Sequence, residues 1–583
     1  MELFSKKLTR KQFFAVVGLF LLLLLPNIAL IIQFYTPVSD FAIFFMALAI
    51  LLIPTLFLPL RVAFLIHGIF LLLLPIDISS WMGMGQALTE GFMNSIWYSN
   101  RAETLEQLRQ YLLPVILFVV LLLFYFYLLF RVIPRKLWFA RSLRLKILLP
   151  VVLVSFFLFS TFGNKFLRPF STIATEGWTI KRYHASVKWT FNSTFPFDIV
   201  RRLFALQRHV SKLNALKSNR LVELGEDDVL YMGNQDSIIG VFVIGETSRA
   251  CNWQLAGYDR ETNPRLSKRE HLYFFDDAFS GANYTRYSVP MLISRATPND
   301  MYKWQNTPLI TEVLAHAGYA QGWISSQSME EVWLGLARQH CSYTFQSWDL
   351  ESLDEKLLPP SRKFFDSVAS DRQMLFMHTL GGHFAYVERY SKEFARFMPD
   401  LADKELGDNA FFNFRFGGKS VPGFVNSFDN TILYTDMVLD SVISMVESKR
   451  KPAFVIYMAD HGENLLEPPE YRAYHSYDKP SHYEAHVPYL IWLSDEYLAR
   501  YPQADSLLRA RLHLPIQSTV TFHTLLDLTR VKYSLYDSTQ SLLSPSFKPL
   551  DTRSIVNPDE KANPEPSYPA DGVCPVYNRK ARS

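Results

Sequence analysis

The first 165 residues constrain this chain more than anything else in it. Five apolar stretches there reach the roughly 17 to 25 residues needed to cross a bilayer: Phe13 to Ile32, Phe41 to Leu60, Val62 to Ile78, Tyr111 to Phe130 and Ile147 to Phe162. Backbone polar groups must be satisfied internally in lipid, so each stretch predicts a helix. The first follows Lys6, Lys7, Arg10 and Lys11. It is long, has no small-residue cleavage site and is followed by further spans, so it reads as a retained helix and not as a signal peptide. The second and third meet at Pro59-Leu60-Arg61 and hold enough residues for a tight hairpin of two spans. Positive charge sets the orientation. Arg131, Arg135, Lys136, Arg141, Arg144 and Lys146, with the basic N-terminus and Arg61, place those three ends on the cytoplasmic side. Five spans then carry everything after Phe162 outward.

A connector from Lys165 to about residue 230 follows. Its stretch from Phe197 to Leu216 mixes Arg201, Arg202, Arg208 and Lys212 with Phe204, Leu206 and Leu213, which suits a helix lying along a membrane surface. From residue 231 to 543 strands and helices alternate. Ile238 to Ile244, Leu272 to Phe279, Gln321 to Ser325, Met374 to His378, Phe454 to Met458 and Tyr489 to Leu493 read as strands. Pro308 to Ala317 and Val425 to Glu447 read as helices. The alternation predicts an α/β domain with a mostly parallel central sheet. Residues 544–583, rich in Pro, Asn and charge, read as a loosely ordered tail. The net charge of +4 gives no argument for nucleic acid, and three cysteines are too few for a disulfide framework.

Chemistry concentrates where strands end, the edge at which parallel sheets bind ligands. The run Ala453 to Ala459 stops at Asp460-His461-Gly462-Glu463, and the run Ile238 to Ile244 stops at Gly245-Glu246. Thr285 lies in a hydroxyl-rich segment, Asn283 to Pro290. Six of the fourteen histidines fall between His378 and His486, among them His383, His461, His475 and His486. Carboxylate, imidazole and hydroxyl oxygen without thiolate suit a catalytic zinc site. A metal-bound threonine hydroxyl is activated as a nucleophile. On local sequence alone, a turn-forming hydroxyl before a helix explains Thr285 equally well.

The order Gly-Glu-Thr-x-Arg, Thr-x-x-Ser-Val-Pro, Thr-x-Gly-x-His, Asp-His-Gly-Glu and His-Val-Pro resembles the bacterial phosphoethanolamine transferases of the alkaline phosphatase/sulfatase superfamily. The stretches Asn252 to Pro264 and Asp429 to Asp436 share the likeness, as does the plan of five spans followed by a periplasmic domain. The resemblance implies a multi-pass protein of the bacterial inner membrane with its catalytic domain, 231–543, in the periplasm and its helices within 1–164. It implies Zn2+ held by Glu246, Asp460, His461 and Thr285, with Thr285 as nucleophile. The donor would be phosphatidylethanolamine and the acceptor lipopolysaccharide, at lipid A or an inner-core sugar. His383 and His475, and less directly His486, would bind the donor phosphate or a second zinc.

The soluble half lacks the several cysteines of many lipid A-modifying members, and no Lys follows Gln327 closely. Both departures tilt the expectation towards a core sugar. Gly382 stands where the family often has Ser, a change that leaves His383 usable. A phosphoglycerol transferase acting on a periplasmic glycan is the rival enzyme. A non-catalytic membrane scaffold is the rival of another class, and it would predict loss of Glu246, Thr285, Asp460 or His461.

Overall fold

The computed structural model of the chain describes residues 4–34, 37–77, 93, 97, 112–155, 194–219, 222, 224–225, 227–231, 237–327, 331–347, 353–403, 421–467 and 472–567. The chain divides into two compact units, residues 1–94 with 105–210, and residues 95–104 with 211–583.

The first unit is helical. It contains α1 (Arg10–Phe34), α2 (Pro37–Phe57), α3 (Leu60–Phe70) and α4 (Leu112–Tyr127). Among the described residues, three helical segments are long and apolar enough to cross a membrane: Arg10–Ile28, Leu60–Asp77 and Val115–Val132. Phe44–Phe57 is a shorter apolar helix. The fifth expected span, 147–162, lies partly outside the described residues, which end there at 155. Leu19, Leu60, Phe64, Tyr125 and Leu129 form the core of this unit, and the Tyr125 hydroxyl donates to the Phe64 carbonyl at 2.6 Å.

Three of its chain ends meet. Arg61 Nε donates to the Ile133 carbonyl at 3.0 Å, and Ser5 N donates to the Trp138 carbonyl at 2.9 Å. The basic N-terminus, Arg61 and the basic 131–146 loop therefore share one end of the bundle, as the charge pattern requires. The expected amphipathic helix forms as α5 (Phe197–Asn219), with Ile199 and Leu206 buried and Phe204 exposed.

The second unit is built on a seven-stranded sheet. Its strands are β1 (Ile238–Gly245), β2 (Leu272–Phe275), β3 (Ala320–Ser325), β4 (Tyr343–Gln346), β5 (Arg372–His378), β6 (Ala453–Ala459) and β7 (Tyr489–Leu493). They lie in the order β2-β7-β6-β1-β5-β3-β4. The four pairings from β6 to β4 are parallel. Both pairings of β7 are antiparallel, so the sheet is mixed, with one reversed strand near its edge.

Strand alternation explains the two apolar layers. Ile238, Phe242 and Ile244 of β1 face one core, shared with helix α6 (Thr285–Ile293). Ile239, Val241 and Val243 face the other, shared with Phe428, Ile432 and Leu439 of α7 (Val421–Glu447). Within the described residues, 545–567 depart from the expectation of a loose tail. Strands Ser554–Val556 and Ala562–Pro564 pair antiparallel, and Ile555 and Val556 are buried. Arg553 is buried too, 2.9 Å from Asp277 and 2.5 Å from Glu565, so two ion pairs hold a polar segment in place. Cys251 is disulfide-bonded and Cys341 is free, which excludes a bridge between those two.

Candidate metal centre

Sheet register assembles the centre. Gly245 and Ala459 are register partners on the adjacent parallel strands β1 and β6. The next residues, Glu246 and Asp460, therefore emerge side by side at the carboxyl edge. Thr285 opens α6 in front of them. The loop before α6 is tied to the same edge, because the Ser280 hydroxyl donates to the Asp460 carbonyl.

The Thr285 hydroxyl lies 3.2 Å from His461 Nε2 and 3.3 Å from Glu246 Oε2. His461 Nε2 lies 3.5 Å from Glu246 Oε1 and 3.5 Å from Asp460 Oδ2. A tetrahedral zinc with bonds of about 2.0 Å has ligand atoms about 3.3 Å apart. The four groups are already near that spacing. His461 Nδ1 is 3.0 Å from the Gly462 carbonyl, which assigns its proton to Nδ1 and leaves the Nε2 lone pair facing the cluster. Asp460 Oδ2 is buried without a hydrogen-bond partner. Its Oδ1 accepts from the backbone N–H groups of Thr247 and His461.

The electrostatics call for either a proton or a cation. Burial, with Asp460 alongside, pushes the Glu246 carboxyl well above its ordinary range. Burial pushes the His461 imidazole down to about 4, so the ring is neutral and can ligate. Among the described residues neither carboxylate is ion-paired with Lys or Arg. Adjacent buried acids of this kind are stable only if protonated or neutralised by a metal. The donor set and the orphaned Asp460 Oδ2 both fit zinc.

The other expected residues divide. His475 stands beside His461 with ring centroids 4.0 Å apart. His383 lies on the loop after β5, with its Nδ1 2.8 Å from the Phe384 carbonyl. Its neighbour Gly382 donates its N–H to the Glu246 carbonyl at 3.0 Å. His486 departs from expectation. It is fully buried, its Nε2 is 2.9 Å from the Asp276 carbonyl, and, like His383, it joins neither metal-capable cluster found among the described residues.

Two participants escape the residue reading. Glu463 is buried, accepting from the Tyr386 hydroxyl at 2.9 Å and meeting His475 Nδ1 at 2.9 Å. Burial raises its carboxyl to about 8. With His461 and His475 it forms the second metal-capable group. Gln327 donates to Glu246 Oε2 at 3.0 Å from the end of β3. The signal for Glu463 was its place in Asp460-His461-Gly462-Glu463. Gln327 had none beyond ending a strand.

The stretches Asn252 to Pro264 and Asp429 to Asp436 meet each other. Asp429 accepts from Asn252 Nδ2 at 2.6 Å, Tyr258 at 3.0 Å and Arg260 at 2.8 Å. They clamp α7 to the segment that follows β1.

The site is thus a cluster of two carboxylates, an imidazole and a hydroxyl at a helix N-terminus, gathered at the carboxyl edge of a sheet covered on both faces. The chain belongs to the sulfatase family, whose model matches residues 239–531. It is 28% identical over 348 residues to the phosphoethanolamine transferase EptA of Salmonella typhimurium, a match covering 56% of this chain and 60% of that protein. The chain thus spans about three-fifths of that relative's length. The whole-chain fold resembles the integral membrane lipooligosaccharide phosphoethanolamine transferase A of Neisseria meningitidis, with a TM-score of 0.67 at 19% identity, covering 92% of this chain and 98% of that one. The soluble half resembles the C-terminal periplasmic domain of Escherichia coli EptC in complex with Zn, with a TM-score of 0.51 at 22% identity, covering 60% of this chain and 98% of that one.

Proposed function

We propose that this chain is a zinc-dependent phosphoethanolamine transferase that takes its donor group from phosphatidylethanolamine and passes it to lipopolysaccharide. The observation that carries the reading is the Thr285 hydroxyl, 3.2 Å from His461 Nε2 and 3.3 Å from Glu246 Oε2 at the start of α6. Glu246, Asp460, His461 and Thr285 would hold the metal. Bound there, zinc supplies Lewis-acid activation of the hydroxyl and neutralises the buried carboxylates.

Thr285 Oγ forms a bond to phosphorus, and the bond from phosphorus to the diacylglycerol oxygen breaks. The proton lost by the hydroxyl matches the one gained by the departing diacylglycerol. An acceptor hydroxyl then attacks the phosphothreonine, the new ester forms, and Thr285 regains its proton. The phosphoryl group would sit at the N-terminus of α6, whose dipole favours negative charge. His383 and His475 are the residues assigned to the donor phosphate, with Glu463 orienting His475.

Donor and acceptor are both membrane components, which is the physical reason to tether the catalytic unit. The proposed plan is five spans within 1–164 in the bacterial inner membrane, a connector over 165–230, and a periplasmic domain from 231. The absence of a close Lys after Gln327 favours an inner-core sugar over lipid A. The test is mass spectrometry of lipopolysaccharide from cells with and without the gene, with lipid A split from core oligosaccharide. A gene-dependent phosphoethanolamine increment on the core is expected. An increment on lipid A would correct the acceptor. A phosphoglycerol increment on a periplasmic glycan, with lipopolysaccharide unchanged, would overturn the donor and acceptor together.

A further inference from the structure

Thr247 is the residue around which the two carboxylates are arranged. It is 1% exposed and has φ +49°, a left-handed conformation that β-branched residues rarely adopt. Its hydroxyl donates to Glu246 Oε1 at 2.7 Å, and its backbone N–H donates to Asp460 Oδ1 at 3.1 Å. One residue thus engages one oxygen of each acid. Asp460 Oδ2 is left without a partner beside His461. The left-handed turn is what allows both bonds, because it aims the N–H of residue 247 across to β6 while its side chain folds back on Glu246.

The strained turn is enforced from behind. The Asp354 carboxylate accepts the N–H groups of Leu380 at 2.9 Å and Gly381 at 2.8 Å, fixing the turn after β5. Gly381 has φ +47°, and a Cβ there would lie 2.5 Å from the Glu246 carbonyl oxygen. A Cβ on Gly382 would lie 2.5 Å from the Thr247 carbonyl oxygen. The two glycines let the turn close onto Glu246 and Thr247, and a strained residue persists only when its surroundings over-determine it.

We propose that Thr247 is a positioning residue for the metal, orienting Glu246 through its hydroxyl and Asp460 through its left-handed backbone. This rests on the zinc reading of the site given above. Groups that orient metal ligands typically change affinity about 10–100-fold when removed.

The test uses the full-length chain purified in detergent, with zinc affinity measured by competition against a chromogenic chelator and thermal unfolding measured on the zinc-free protein. Thr247→Val keeps the shape and the backbone constraint but loses the hydroxyl. It should bind zinc about 10–100-fold more weakly while the zinc-free melting temperature stays unchanged. Thr247→Ser restores the hydroxyl and should recover most of the lost affinity. Wild-type affinity in Thr247→Val, or equal losses in Val and Ser, would overturn the proposal and leave the zinc site standing. A wild-type chain that takes up no zinc would instead overturn the metal reading itself. If Thr247→Val does not fold, Thr247→Gly replaces it. Glycine adopts the left-handed turn without its steric cost, so the zinc-free protein should still fold, and zinc should bind at least about tenfold more weakly. Undiminished affinity in Thr247→Gly would also overturn the proposal.

Discussion

At the scale of single residues, the centre separates two tasks that one hydroxyl and three ligands share. In the proposed reading Thr285 attacks, and Glu246, Asp460 and His461 hold the metal. Their substitutions should therefore part company. Thr285→Ala should lower transfer by at least about 10³-fold, since removal of a covalent nucleophile is among the most costly changes an active site can suffer. The three remaining ligands should still retain zinc. Asp460→Asn should lose zinc and activity together. Zinc content by elemental analysis, beside a transfer assay, checks both. Transfer at the normal rate in Thr285→Ala would end its assignment as nucleophile. The residue scale is also where sequence reading is weakest. Asp460 and His461 are legible because they interrupt an apolar run, whereas nothing in the local sequence around His486 distinguishes a ligand from a ring tied to the Asp276 backbone. That distinction is made by packing, not by motif.

At the scale of elements, legibility follows burial. β1, β5, β6 and β7 are buried on both faces, so they appear in the sequence as continuous apolar runs. β4, an edge strand with half-exposed residues, carries no such run. Helix α6 is hidden for a different reason. Its opening residues are modest helix formers and Pro290 lies inside it, so its order comes from burying Val289, Met291, Leu292 and Ile293. The segment around Arg553 misleads by composition, because its order rests on buried ion pairs.

Helix α7 carries its own prediction. Asp436 accepts the backbone N–H groups of Leu266 and Arg265, each at 3.0 Å, and burial raises its carboxyl to about 6 from an ordinary 3.8. Between those values the folded chain holds a proton that the unfolded chain releases. The associated stability is fully present below about pH 3.8 and is lost as pH rises through about 6, up to about 3 kcal/mol in all. Asp436→Asn cannot ionise. The stability of the wild type relative to Asp436→Asn should therefore fall between pH 4 and 7 in denaturant titrations. A difference that stays constant with pH would refute this.

At the scale of the whole molecule, the proposed topology predicts which surfaces an impermeant reagent can reach. In a Cys341→Ala background, Arg450→Cys on the exposed turn after α7 should react with a membrane-impermeant maleimide in spheroplasts. Lys7→Cys, at the basic end of the bundle, should react only after the membrane is permeabilised. Labelling of Lys7→Cys in intact spheroplasts would reverse the orientation. The register that sets Gly245 opposite Ala459 also bears on how such a chain can diverge. Loops between strands can lengthen or shorten without moving the ligand pair, as the many residues separating β5 from β6 illustrate. Losing or gaining one residue within β1 or β6 would turn the following carboxylate to the opposite face of the sheet. Lineages that keep the metal should therefore accumulate insertions and deletions freely around these two strands and none inside them.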